Sequence, residues 1–347
     1  MKAFIIKKIL VLILMLPILC LAEIKDSIYH EMDRSYYLHL PKDYSEDTSY
    51  SLVIAMHGGF GSGAQLEVQS QLSVKADEAK FIVVYPDGFR NSLGIRTWNA
   101  GGCCGSSITR DIDDVGFLNL LIDTLIANYE IDTNRIYATG MSNGGYMSYR
   151  LACESSNRIA AIAPVSSAMS FPACDPTDPV AIIHFQSKLD DNVPYEGGIG
   201  NGVSDHYSAP YDSTIGAWAY HNNCALFRLD SDEVQVSNYY NCDCDASIAY
   251  YLTEDGGHSW HGGVKSAIGD DVSALSANDL MWNFFLAHPK CNDVISDVGH
   301  INIQAVIEVY YNLLGQAIFE GTFEEASNQL AKNQVYITKT KKVYFID

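Results

Sequence analysis

Five consecutive residues constrain this chain more than any others: Gly140-Met141-Ser142-Asn143-Gly144, a G-x-S-x-G pattern. Arg135-Ile136-Tyr137-Ala138-Thr139 before it reads as a buried strand. Gly145, Tyr146, Met147, Tyr149 and Leu151 after it read as a helix with apolar groups three to five apart. A strand that becomes a helix within so few residues must bend sharply, and glycines permit the bend. The serine hydroxyl then projects alone beyond the sheet. The five-residue pattern by itself recurs by chance, so the flanking strand and helix carry most of its weight.

Other apolar runs fall at Ser51–Met56, Phe81–Tyr85, Ile136–Thr139, Ile159–Val165, Val180–Phe185 and Ala246–Leu252. Helix-like stretches lie among them at Val115–Asn128, Tyr146–Cys153 and Ala277–Phe285. Short, almost continuously apolar strands alternating with helices predict an α/β fold, a mostly parallel, doubly wound sheet flanked by helices. Function in such sheets collects on loops beyond the carboxyl ends of the strands. Glu196–Ser213, rich in Gly, Ser, Asp and Tyr, reads as a long surface excursion, either a lid or a tolerated insertion. From Val294 the character changes. Ile303–Tyr311, Gln316–Glu320, Val335–Lys339 and Lys342–Ile346 predict a small all-β appendage.

The ends of the chain divide it further. Lys2, Lys7 and Lys8, the apolar run Ile9 to Leu19 and Cys20-Leu21-Ala22 read as a signal peptide over 1–22, cleaved before Glu23. The run is short for a membrane span and contains Pro17, and Leu19 is too large to precede a lipidated cysteine. The expected division is a signal peptide at 1–22, a catalytic domain at 23–290 and a small β module at 291–347. Removing three signal lysines from 22 basic residues leaves 19 against 42 acidic ones, a formal charge of −23. Such a charge disfavours nucleic acid and anionic membranes as partners. Eight of the nine cysteines remain after Cys20 is removed, which in an exported chain predicts disulfides, with Cys153–Cys174 the first expectation. Neither Cys103-Cys104 nor Cys242-x-Cys244 has the gaps or the matching second pair that a zinc site needs, and no cofactor is implied.

An uncharged serine hydroxyl is a poor nucleophile. It needs a histidine to accept its proton and a carboxylate to hold the histidine's tautomer. In an α/β-hydrolase these follow in the order serine, acid, histidine. Asp190 follows the strand Val180–Phe185, and His258, in Gly256-Gly257-His258-Ser259-Trp260-His261, follows Ala246–Leu252. The assignment is therefore Ser142 as nucleophile, Asp190 as acid and His258 as base. His261 is the competing base, and Asp190 or Asp191 could instead cap a turn. Donors for the oxyanion are expected from the Asn143 N–H and from Gly58, Gly59 and Phe60 in the early loop His57-Gly58-Gly59-Phe60-Gly61. That loop lacks the Gly-Lys-Ser/Thr ending of a phosphate cradle. Trp98, Tyr195 and Trp260 lie in or beside these loops and are candidate substrate contacts, with core packing the competing role.

From about Ser35 to His288 the chain resembles the secreted poly(3-hydroxybutyrate) depolymerase and feruloyl esterase group of α/β-hydrolases. The resemblance rests on His57-Gly58-Gly59, Tyr85-Pro86-Asp87-Gly88, Trp98-Asn99-Ala100-Gly101 with Cys103-Cys104, and Asp113-Asp114-Val115-Gly116-Phe117. Gly140–Gly145, Leu189-Asp190 with Tyr195-Glu196-Gly197-Gly198, and Gly256-Gly257-His258-Ser259-Trp260 complete it. It implies the same three residues as triad. His261 departs from the proline common in such proteins, which puts the mouth of the site in question. The tail from about Ile303 to Ile346 is similar to a type IX secretion sorting domain through Val309–Gln316 and Val335-Tyr336-Ile337, although Gln334 stands where glycine is common. That similarity implies handling by secretion machinery and a cell-surface or extracellular destination.

The combined expectation is a secreted serine carboxylic-ester hydrolase, feruloyl-esterase-like, working on esters of plant polysaccharide. A polyester depolymerase and an acetyl xylan esterase are the alternatives within the same chemistry. A hydrolase fold that only binds polysaccharide or polymer is the alternative from another class, disfavoured by a complete serine, acid and histidine set.

Overall fold

The computed structural model describes residues 24–30, 32–170, 174–202, 206–231, 234–266, 269–291 and four short backbone segments beyond 307. The signal peptide expected at 1–22 lies outside the described residues. In chain order the strands begin with β1 (Ile24–His30), β2 (Met32–His39), β3 (Tyr50–Met56), β4 (Ile82–Pro86) and the two-residue pair β5 (Phe89–Arg90) and β6 (Arg96–Thr97). Then come β7 (Ile131–Met141), β8 (Ala161–Val165), β9 (Ala181–Ser187), the short pair β10 (Gly198–Ile199) and β11 (Tyr207–Ser208), β12 (Leu226–Ser231), β13 (Gln235–Tyr240) and β14 (Ile248–Thr253). The helices are α1 (Gly63–Ser70), α2 (Leu72–Ala79), α3 (Gly105–Thr109), α4 (Asp114–Asn128), α5 (Asn143–Glu154), α6 (Tyr211–His221) and α7 (Ala277–Ala287).

Six strands in the order β4-β3-β7-β8-β9-β14 run parallel, and antiparallel strands extend both ends, β2 and β1 beyond β4, β13 and β12 beyond β14. Each of the six predicted strands is present, within a few residues of its expected limits. Burial on both faces explains why they read as continuous apolar runs rather than alternating ones. Along β3, Leu52, Ile54 and Met56 join the core beneath α4 and α5, while Val53 and Ala55 join the core beneath α1, α2 and α7. The result is three layers. Successive strands flank β3 on opposite sides, so the loops after β3 and β7 open together at the carboxyl edge of the sheet.

The 196–213 excursion carries the β10–β11 pair, and its last residues begin α6. Cys153–Cys174 forms as expected, and Cys103–Cys104, Cys224–Cys242 and Cys244–Cys291 account for the other six cysteines. Among the described residues, no helix is long and apolar enough to cross a membrane. Beyond 307 the backbone forms β15 (Glu308–Tyr311), β16 (Ala317–Gly321), β17 (Gln334–Ile337) and β18 (Lys342–Phe345).

Candidate active site

The bend after β7 has the geometry its glycines anticipate. Ser142 sits at φ 53 and ψ −123, a conformation that costs a non-glycine residue about 1–3 kcal/mol and is held by its surroundings. Its N–H donates to Val165 O at 3.0 Å, and its carbonyl accepts from Tyr146 N at 3.0 Å, opening α5. A Cβ on Gly140 would lie 2.5 Å from Gly144 and 2.6 Å from Met56 O. A Cβ on Gly144 would lie 2.7 Å from His57 O and closer still to Met56 O. Both glycines are therefore demanded by backbone that cannot move aside. Gly144→Ala is expected to push the early loop outward and lower kcat/KM on the order of 10²-fold, with a reduced melting temperature. Steady-state kinetics on the purified variant checks this, and wild-type activity would contradict it.

β9 and β14 are paired in register, Ser187 opposite Thr253, so the loops that follow them emerge side by side. That adjacency brings Asp190 to His258. His258 Nδ1 lies 2.9 Å from Asp190 Oδ2 and 3.1 Å from Oδ1. The carboxylate is buried and well supplied with donors. Oδ1 accepts from the N–H groups of Asn192 and Val193, both at 2.9 Å, and Oδ2 accepts from Gln186 Nε2 at 3.0 Å. The His258 main chain is anchored by donation to Asp270 Oδ2 at 2.7 Å. His261, the competing base, is buried, leans on Phe185 and lies 3.4 Å from Thr253 Oγ1. Burial also holds its pKa below the ordinary histidine value. It lines neither cavity that contains Ser142.

Those two cavities adjoin, with volumes of about 630 and 640 Å³, and Gly59, Phe60, Ser142 and His258 line both. One lobe continues over Leu66, Val68, Met141 and Val264, the other over Asn91, Tyr146, Asn192 and His206. Ser142 and His258 thus share the centre of a two-lobed cleft.

The early motifs pack beside Ser142. Asn143 clamps the Trp98 peptide in both directions, its Oδ1 accepting from Trp98 N at 2.7 Å and its Nδ2 donating to Trp98 O at 3.1 Å. His57 accepts from Gly88 N at 2.9 Å through Nε2, so its proton is on Nδ1 and donates to Gly58 O at 2.6 Å. This fixes the Gly58–Gly59 peptide. The N–H groups of Gly58, Gly59 and Asn143 have no acceptor among the described residues. Phe60 requires a correction: its N–H donates to Arg96 O at 2.9 Å, so it is committed to the β5–β6 turn and cannot serve an oxyanion.

The aromatic substrate contacts are corrected as well. Trp98 and Trp260 are both 0% exposed; their indole N–H groups donate to His57 O at 2.9 Å and Asn278 Oδ1 at 3.0 Å. They are packing beneath the loops, out of reach of a ligand in the cleft. Tyr195 donates to Glu196 at 3.1 Å and borders a separate small cavity. The aromatic side chain in both lobes is Phe60, 58% exposed and held at φ 67, with Tyr146 and His206 in one lobe. Its place in a glycine-rich loop after β3 was the available signal, and only its N–H was read from it.

Burial pushes the His57 pKa down to about 4 and that of His184 to about 3. Both are depressed below the unfolded value of about 6.5, so the unfolded chain binds more protons below that pH. Stability is then fully present above about pH 6.5 and lost as pH falls toward 4, the two histidines together contributing several kcal/mol at about 1.4 kcal/mol per unit. Melting temperatures measured across pH should be level near pH 7–8 and fall below about pH 6. A melting temperature unchanged down to pH 4.5 would contradict this.

Layered sheet, bend and loop arrangement define the α/β-hydrolase fold. Solved structures agree on it: an acetyl xylan esterase from Aspergillus awamori superposes with a TM-score of 0.53 at 13% identity, covering 75% of this chain and 98% of its own. A thermostable esterase superposes with a TM-score of 0.51 at 17% identity, covering 77% and 63%. Residues 34–195 match the family described as "Esterase PHB depolymerase". Feruloyl esterase B of Piromyces equi is 29% identical over 234 residues, 65% of this chain and 42% of that protein. "Probable feruloyl esterase C" of Aspergillus clavatus is 26% identical over 272 residues, 76% of this chain and 86% of that one. The chain thus spans less than half the length of the first of these relatives and most of the second. The fold is that of the α/β-hydrolases, and residues 34–195 are similar to an esterase family within it.

Proposed function

We propose that the protein is a secreted serine carboxylic-ester hydrolase that releases hydroxycinnamic acids from esters on plant polysaccharide. The observation that carries the chemistry is the Asp190–His258 pair opening on the same cleft as a serine held at the bend after β7. In this reading Ser142 Oγ attacks the ester carbonyl carbon while His258 Nε2 takes its proton. The carbonyl oxygen, now negative, is met by the N–H groups of Asn143 and Gly59, with Gly58 beside them. Asp190 holds the resulting imidazolium through Nδ1. Collapse expels the alcohol, which leaves with the proton from His258, and Ser142 keeps the acyl group. Water, deprotonated by His258, then adds to the acyl carbon and regenerates the serine.

The substrate class is supported by Phe60, whose exposed ring borders both lobes and offers a flat face for an aromatic acyl group, and by the two feruloyl esterase relatives. Export is supported by the leader-like residues 1–22 and by four disulfides, which persist in oxidising compartments. Residues 291–347 would act as the sorting module. Methyl ferulate, a 3-hydroxybutyrate oligomer and acetylated xylan, assayed with the purified mature protein, test the substrate. Methyl ferulate is expected to have the highest kcat/KM, and hydrolysis of the oligomer alone would overturn the assignment.

A further inference from the structure

Behind Asp190 lies a chain of buried polar side chains that the reaction itself does not use. Gln186, 1% exposed in β9, has all its hydrogen-bonding capacity occupied. Its Nε2 donates to Asp190 Oδ2 at 3.0 Å and to Val193 O at 2.7 Å, and its Oε1 accepts from Ser167 N at 3.1 Å. A backbone N–H can only donate and a carbonyl can only accept, so the amide has one possible orientation. Oε1 must then also be the acceptor for His184 Nε2, at 3.4 Å. The His184 proton therefore sits on Nε2, and its Nδ1 accepts from Tyr149 OH at 2.7 Å. Tyr149, His184 and Gln186 all donate toward the same carboxylate. Each such bond polarises the next, and burial strengthens the effect.

We infer that Gln186, held in one orientation by Ser167 and His184, is a positioning residue that fixes the Asp190 carboxylate in place and keeps its charge available to His258. The inference rests on the reading of Asp190 and His258 as acid and base. The groups facing Asp190 suit this role. From β9 comes His184, pushed down to about 3 by burial and stacked 4.8 Å from Tyr250 of β14. From α5 come Tyr146 and Tyr149, and from β14 Tyr250, all raised by burial. From the loop after β14 comes His261, lowered by burial, with Asp255 beside it. The histidines and tyrosines of this set are neutral near pH 7, and Asp191 and Asp255 are carboxylates, so the positive charge in contact with Asp190 is the one His258 acquires during the reaction. Asp270 accepts from the His258 backbone N–H.

Two substitutions test this. Gln186→Met keeps the volume and removes the donor. It should lower kcat about 10- to 100-fold with KM within about twofold, and move the acid limb of the kcat/KM profile to higher pH, because a carboxylate with fewer donors is more basic. Gln186→Glu retains an O–H donor only while protonated, and a second carboxylate beside Asp190 is protonated well above its ordinary range. It should therefore be within about tenfold of wild type near pH 6 and lose activity toward pH 9, an alkaline fall the wild type lacks. A residue that merely filled space would lower the rate equally at every pH. If Gln186→Met does not fold, Gln186→Glu carries the test. Labelling of Ser142 by a fluorophosphonate is measured alongside. A labelled wild type with unmoved pH profiles in the variants overturns this inference alone, whereas a wild type that is not labelled overturns the serine-hydrolase reading and this inference with it.

Discussion

Ser142→Ala is expected to reduce hydrolysis of p-nitrophenyl acetate on the order of 10⁵- to 10⁶-fold in kcat, with the fold and melting temperature retained. The size of the effect follows from what remains. The variant keeps the cleft, the Asn143 and Gly59 donors and the Asp190–His258 pair, so it can still bind an ester and polarise its carbonyl. In the proposed mechanism it has lost the atom that would become covalently bonded to the acyl group, and His258 would be left to activate water across the gap. Residual rates of about 10³- to 10⁴-fold above the uncatalysed reaction come from binding and oxyanion stabilisation alone. Stability should be little changed, because the strain belongs to the bend and is the same for alanine as for serine. Progress curves with stopped-assay controls read the rate directly, and a loss smaller than tenfold would mean that another residue carries the chemistry.

Asp190→Asn should cost about 10³- to 10⁴-fold, and the hydrogen bonds explain why an isosteric change is so damaging. Oδ1 of Asp190 faces the N–H groups of Asn192 and Val193, which cannot turn away, so the asparagine oxygen must occupy that position. Its NH₂ then replaces Oδ2 and points at His258 Nδ1 and at Gln186 Nε2. Nδ1 is forced to accept, the imidazole proton moves to Nε2, and the nitrogen facing the cleft can no longer take a proton from Ser142. A melting temperature close to wild type, together with the rate loss, would separate this tautomer effect from unfolding. Near-normal kcat would show that Asp190 does not orient the base.

How much of this could be read from the chain varied with the kind of signal. The positions of the parallel strands and the serine bend were legible because burial on both sheet faces leaves long apolar runs at Ser51–Met56 and Ile159–Val165, and because backbone crowding at Gly140 and Gly144 dictates composition. The hairpin of β1 and β2 was not read: its burial alternates and its outer strand is exposed. Helices α1 and α2 are eight residues each, separated by Gln71 at φ 58, too short for a clear period. At the site, Asp190 and His258 could be placed by strand-end position, whereas Trp98, Trp260 and Tyr195 could not be assigned a direction. Which way a loop aromatic points depends on the packing beneath it, and here two of the three close the core under the cleft. Gln186 and His184 escaped notice because they sit within an apolar strand, where polar side chains read as incidental until their partners are known.

Whether Ser142 is the nucleophile is read most directly by intact-protein and peptide mass spectrometry after treatment with a fluorophosphonate. One adduct per chain is expected, mapped to Ser142, formed in parallel with loss of esterase activity and strongly slowed in His258→Ala. An adduct on a different residue, or continued ester hydrolysis by fully treated protein without any adduct, would contradict this assignment.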